Sequence, residues 1–255
     1  MKEKKGSIIQ TVAGLVILIA GIVLCVNTYV VKGNKAYAVS LLTAIVGAVI
    51  LISGLYSLFS KNEKKPIDAK VIAQAALCAA LCYVGATFIK IDIPVGTERT
   101  MFHFGNVFCV LAALLLGGTW VGLAGAVGMT ISDLTTAYVT SAPKTFFLKL
   151  CIGLIVGFVA HRLFKLSKEH SVKYVTIATV VSSVCGMLFN IVADPIVGYF
   201  YKTYLLGVPQ DLAKALAKVG AVTTSVNAVI AVVVASIIYL ALRPVMKKSD
   251  MLRDL

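Results

Sequence analysis

Apolar residues fall along this chain in eight runs separated by short polar or charged stretches. The runs are approximately Ile8 to Val31, Tyr37 to Phe59, Val71 to Ile89, His103 to Gly117, Trp120 to Ala137, Thr145 to Phe164, Tyr174 to Tyr201 and Val219 to Leu242. About 20 apolar residues suffice to cross the hydrocarbon core as a helix, so the pattern predicts an all-α polytopic membrane protein. The fourth run is short for a full crossing. The seventh is long and contains Pro195, which removes a backbone donor and predicts a kink or an early end.

Composition agrees with the pattern: 59% of residues are hydrophobic, 14% are charged, and the mean hydropathy is +0.95, more apolar surface than one soluble core buries. The net charge of +13 could point to nucleic acid, but Lys and Arg stand in short clusters between the apolar runs rather than on one polar face. The charge therefore reads as topology, with no nucleic-acid partner expected. Cationic residues are retained on the cytoplasmic side. The clusters Lys2–Lys5, Lys61–Lys70, Arg162–Lys173 and Arg243–Arg253 outweigh the positives of the opposite loops, which predicts a multi-pass plasma-membrane protein with both termini cytoplasmic. The first run is too long for a signal peptide and no A-x-A site ends it, so a retained helix is expected. Leu24 before Cys25 likewise argues against lipidation.

Ionisable residues at membrane depth are costly and mark function. His103, Asn106, Asp133, Lys149, Asn190, Asp194 and Asn227 come from five runs, each near the end assigned to the outside. They predict an outward-facing pocket for a small polar molecule. His103 and Asn106 are expected one turn apart on a helix, although His103 could also be a water-exposed helix start. Asp133 and Lys149 either contact ligand or pair with each other. Asn190 and Asp194 share a face, and Asn227 adds an amide from the last helix; either Asn could instead join helices. Arg99 and Lys144 lie in outer loops, as solvated charges or anion contacts. Phe102, Phe104, Tyr138, Tyr199 and Tyr201 could stack a flat ligand, or form the interfacial aromatic belt. The six cysteines show no metal or C-x-x-C spacing, and no cofactor is expected.

A charged, Pro66-containing stretch divides the chain. The expected organisation is an N-terminal transmembrane hairpin (1–60), a cytoplasmic linker (61–70), a six-helix substrate-binding domain (71–246) and a cytoplasmic tail (247–255). The hairpin carries almost no polar side chains. The second part carries an ordered series: Ala76-Leu77-Cys78-Ala79-Ala80-Leu81-Cys82-Tyr83-Val84, Ile91-Asp92-Ile93-Pro94, Phe104-Gly105-Asn106 and Leu114-Leu115-Leu116-Gly117-Gly118. It continues with Gly122-Leu123-Ala124-Gly125-Ala126-Val127-Gly128-Met129, Ser132-Asp133-Leu134, Pro143-Lys144-Thr145 and Gly153-Leu154-Ile155-Val156-Gly157. This series resembles the substrate-binding S component of energy-coupling factor (ECF) vitamin transporters, in the riboflavin-transporter-like branch.

The resemblance implies a six-helix S-component bundle, here preceded by the two-helix hairpin. It also implies extracellular capture of a vitamin or precursor, docking on a transmembrane coupling protein with two cytoplasmic ATPases, and toppling in the membrane to release the solute. The family's docking helix carries an A-x-x-x-A motif, matched best by Ala76 and Ala80. Core packing is the other use of such spacing, and Ala75 with Ala79 fits it as well. The chain contains no G-x-x-x-x-G-K-[ST] phosphate loop, so an ATP-driven step would need partners. A proton-coupled secondary carrier using Asp133 or Asp194 is the alternative, although no internal repeat supports it. An intramembrane enzyme lacks any supporting catalytic motif.

Overall fold

The computed structural model describes residues 2–31, 33–59, 69–117 and 119–249. Most of the charged stretch 61–70 and the end of the tail lie outside the described residues. The elements are α1 (Lys2–Thr28), α2 (Lys35–Phe59), α3 (Ala69–Thr87), β1 (Lys90–Val95), β2 (Glu98–His103) and α4 (Gly105–Leu116). There follow α5 (Thr119–Thr135), α6 (Ala142–Gly157), α7 (Val172–Phe200) and α8 (Gln210–Lys248). Six helical stretches among the described residues are long and apolar enough to cross a membrane. The chain is an all-α polytopic membrane protein apart from one antiparallel strand pair.

Helix α4 explains why the fourth run is short. From Gly105 to Leu116 its side chains are buried apart from a partly exposed Phe108, and it touches α3, α5, α6, α7 and α8. A helix apolar all round is one surrounded by protein. Its Leu111 and Leu114 pack into a single core with Cys82 of α3, Met187 of α7 and Ala231 and Tyr239 of α8. Around this central post α5 approaches α3 closely: a Cβ on Gly128 would lie 2.1 Å from the carbonyl oxygen of Ala79, a distance only glycine permits. Gly117, at φ +56°, then ends α4.

Two sequence expectations change here. His103 does not open a helix; it ends β2, and α4 begins at Gly105. The strand pair joins Lys90 to His103 and Val95 to Glu98, with Gly96 at φ +61° in the turn. Pro195 does not end α7 early. The helix continues to Phe200 and passes into a π-helical turn, Tyr201–Leu205, before Gly207 at φ +71° and Pro209 start α8. At the start of α7, Ser171 in extended conformation accepts a hydrogen bond from the Tyr174 amide, the expected N-cap arrangement.

The N-terminal pair α1 and α2 forms a hairpin whose backbones nearly touch. A Cβ on Gly14, Gly21 or Gly47 would lie 2.3 to 2.4 Å from backbone nitrogen of the opposite helix, at Leu51, Ala44 and Leu18. In lipid such close approach supplies the van der Waals contact that holds helices together. Ser7 Oγ to Ser57 Oγ (3.1 Å) and Gln10 Nε2 to Ser53 Oγ (3.1 Å) add polar links. Along one side α2 packs Leu42, Ile45, Val46 and Val49 against Ala126, Phe146 and Leu150 of α5 and α6. At the loop end Tyr37 and Cys25 pack on Tyr201, Leu206 and Val208.

Candidate functional site

The helix directions bring polar residues to one end of the bundle. There α4, α6 and α8 begin, α5 and α7 finish, and the strand pair lies across them. A cavity at this end contains about 870 Å³ of empty space, its open mouth included. All ten polar side chains singled out from the sequence line it: Arg99, His103, Asn106, Asp133, Tyr138, Lys144, Lys149, Asn190, Asp194 and Asn227. Met101, Met129, Leu148, Pro195, Ala213, Leu216 and Ala217 supply apolar wall.

Several of these groups are occupied within the protein. Asn227 Oδ1 accepts the backbone N–H of His103 at 3.0 Å, and its Nδ2 donates to the Met101 carbonyl at 3.1 Å. One α8 amide thus ties β2 to the bundle, seconded by Thr100 and Thr223, whose hydroxyl oxygens lie 3.1 Å apart. His103 Nδ1 accepts from the Gly105 N–H at 3.1 Å, which places the ring proton on Nε2. Tyr138 donates to Asp92 Oδ1 at 2.8 Å, with the Thr100 carbonyl 3.1 Å from the same hydroxyl. Partial burial works to raise the Asp92 carboxyl, but hydrogen bonds from Tyr138 and Lys90 and the charges of Lys90 and Arg99 outweigh it and hold Asp92 below the usual carboxylate range.

Of the two alternatives open for Asp133 and Lys149, mutual pairing is absent, and a different ion pair stands at the cavity. Lys144, on the first turn of α6, meets Asp194 of α7 at 2.8 Å, and the other Asp194 oxygen accepts from Thr224 at 2.9 Å. Asp133 and Lys149 form no ion pair with each other within 4.0 Å, and among the described residues Lys149 has no carboxylate at that range. Lys149 lies five residues further along α6 than Lys144. Three buried oxygen atoms at the cavity lack hydrogen-bond partners: Asn106 Oδ1, Asn190 Oδ1 and Asp133 Oδ2. Buried polar atoms without protein partners are rare, and where several face one cavity a bound water, ion or ligand is what satisfies them.

Sequence reading passed over Lys202, which lines the cavity and pairs with Glu98 at 2.8 Å. It sits on the π-helical turn after α7, and the series Asn190, Asp194, Gly198, Lys202 has the spacing of four that could have revealed it. The aromatic expectation narrows to Tyr138. Phe102, Phe104, Tyr199 and Tyr201 do not line the cavity; Phe104 packs on the core, and Tyr201 donates to the Thr140 carbonyl at 2.7 Å.

On α3 the two alanine registers separate. Ala75 and Ala79 pack against the core, whereas Ala69, Ala73, Ala76 and Ala80 are exposed along one face.

These features define a polytopic membrane protein with a cavity lined by charged and polar side chains at one end of a helical bundle. A family profile described as the ECF-type riboflavin transporter, S component, matches residues 67–244, and the chain belongs to that family. Comparison with curated proteins and with solved structures returned no match. The family is one of substrate-binding membrane subunits of ECF transporters and not of enzymes.

Proposed function

We propose that this chain is the solute-capture subunit of an ECF-type importer for a vitamin or vitamin-like molecule. It takes its solute from the extracellular side and docks on a transmembrane coupling protein driven by two cytoplasmic ATPases. The observation that carries this reading is the cavity itself, where buried polar groups without partners gather at one end of an otherwise apolar bundle. The cationic residues Arg162, Lys165, Lys168, Arg243 and Lys247 lie toward the opposite end, which supports a cytoplasmic assignment for that end and an extracellular one for the cavity. The exposed Ala76 and Ala80 offer the smooth face that close helix packing in lipid needs, and they are the proposed docking contact.

Reconstitution tests the reading. Liposomes holding this chain together with a coupling protein and its ATPases should accumulate solute on addition of ATP, and liposomes holding the chain alone should not. Proton-driven accumulation by the chain alone would transfer the protein to the secondary carriers.

A further inference from the structure

The charges around the cavity do not cancel. Four cations, Arg99, Lys144, Lys149 and Lys202, stand against three carboxylates, Asp133, Asp194 and Glu98, and the neighbouring Lys90–Asp92 pair is neutral. Lys144 and Lys202 are held by Asp194 and Glu98. That leaves Arg99 exposed at the mouth and, inside, Lys149 at 7% and Asp133 at 2% exposure, which form no ion pair with each other within 4.0 Å. A buried charge with no ion-pair partner in contact is costly; for the Lys149 ammonium the cost is relieved by an anion brought against it, and for Asp133 by hydrogen-bond donors. The 12-residue helix α4 also begins at the cavity, with Gly105 and Asn106 in its first turn, and the positive end of its dipole favours negative charge there. Beside the ammonium the unpartnered atoms are acceptors: Asn106 Oδ1, Asn190 Oδ1 and Asp133 Oδ2. They require N–H or O–H groups from whatever fills the space.

Resting on the solute-capture reading, we infer that the captured solute is a monoacid, whose carboxylate or phosphate seats on Lys149, with N–H or O–H donors alongside that satisfy Asn106, Asn190 and Asp133. A neutral ring would leave the Lys149 ammonium without a partner in contact, and a cationic one would serve Asp133 but repel Lys149. An amino- or hydroxy-substituted heterocyclic acid meets the whole set of partners. Asp133 faces the donor side of such a molecule, while Arg99 at the mouth draws its negative charge inward.

The test uses the purified full chain immobilised in detergent and equilibrated with deproteinised yeast extract, then washed and eluted for mass spectrometry. The retained compound should be an acid ionised at neutral pH. Its uncharged amide, ester or dephosphorylated counterpart should bind at least tenfold more weakly by calorimetry. Lys149→Met should abolish that preference while leaving the melting temperature of the empty protein unchanged or higher, because an apolar side chain replaces a lone buried charge. A retained compound that is neutral or cationic overturns the acidic-ligand inference and leaves solute capture standing. An acid whose preference over its neutral counterpart survives Lys149→Met likewise overturns the assignment to Lys149. Retention of no small molecule overturns the capture reading and this inference with it.

Discussion

Replacing Asn227 with alanine should loosen the strand pair from the bundle. The amide makes two bonds to β2, accepting from the His103 N–H and donating to the Met101 carbonyl, and no other side chain stands in for it at these atoms among the described hydrogen bonds. Truncation leaves a buried N–H and a partly buried C=O unpaired, at about 1–3 kcal/mol for a fully buried group and less where water reaches. The expected loss is roughly 2–4 kcal/mol, which for a chain of this length lowers Tm by roughly 5–15 °C. Differential scanning fluorimetry in detergent reads the shift, and hydrogen exchange over residues 98–103 reads its location. Asn227→Asp is the informative companion: its carboxylate still accepts from His103 but cannot donate to Met101, so it should fall between the wild type and Asn227→Ala. If Asn227→Ala melts within about 1 °C of wild type and exchange in β2 is unchanged, the amide does not hold the strand and the argument from its two bonds fails.

Enlarging Ala76 and Ala80 to Trp should reduce ATP-driven uptake in the reconstituted transporter while sparing ligand affinity, and equal loss of binding by the isolated chain would place these residues in the fold instead. Gly47→Leu should lower folded yield sharply, since even a Cβ would sit 2.3 Å from the Leu18 backbone, whereas Gly6→Ala, with nothing within 4 Å, should express like wild type. Asp92 has its folded pKa below the ordinary value, so its stabilising contribution is complete above about pH 4 and is lost as pH falls through the lower, folded value. Acid melting curves should therefore show a stability loss below about pH 4 that shrinks in Asp92→Asn. Tyr138→Phe removes the hydrogen bond that helps to hold that pKa down and should move the acid transition upward toward the ordinary carboxylate range.

The helices were legible because crossing a bilayer demands long apolar runs, and each of the eight runs contains an α-helix, with ends displaced by several residues at most of them. The cavity's polar lining was legible for the complementary reason: His103, Asp133 and Asn190 stand out wherever every neighbour is apolar. Pairing was not legible. Which of Lys144 and Lys149 reaches Asp194 depends on the relative depth of two helices, which a single chain's spacing does not encode. The strand pair was hidden because the alternation in Lys90–Val95 is short and interrupted by Pro94, which reads as a loop. Lys202 was hidden because it follows the seventh apolar run and looks like a solvated loop charge. The register of the α3 alanines, ambiguous in sequence, was resolved only by the close approach of Gly128 to Ala79.

The seam between α1 and α2 has a consequence for what can reach the rest of the protein. With glycine at Gly14, Gly21 and Gly47 the two helices lie so close that they behave as one thin plate, and that plate is fastened along α6 by Leu42, Ile45, Val46 and Val49. Any protein that grips the bundle from the α6 side meets α2 first, a helix whose exposed side chains, Val39, Ile52, Leu55, Tyr56 and Phe59 among them, are mostly apolar. The plate therefore screens one flank and leaves the outer faces of α3, α7 and α8 uncovered, the first carrying the row of exposed alanines. It also rides with the bundle like a keel: any tilting of the bundle in the bilayer must sweep the plate through lipid with it, because Tyr37 and Cys25 clip its loop end to the turn that carries Lys202.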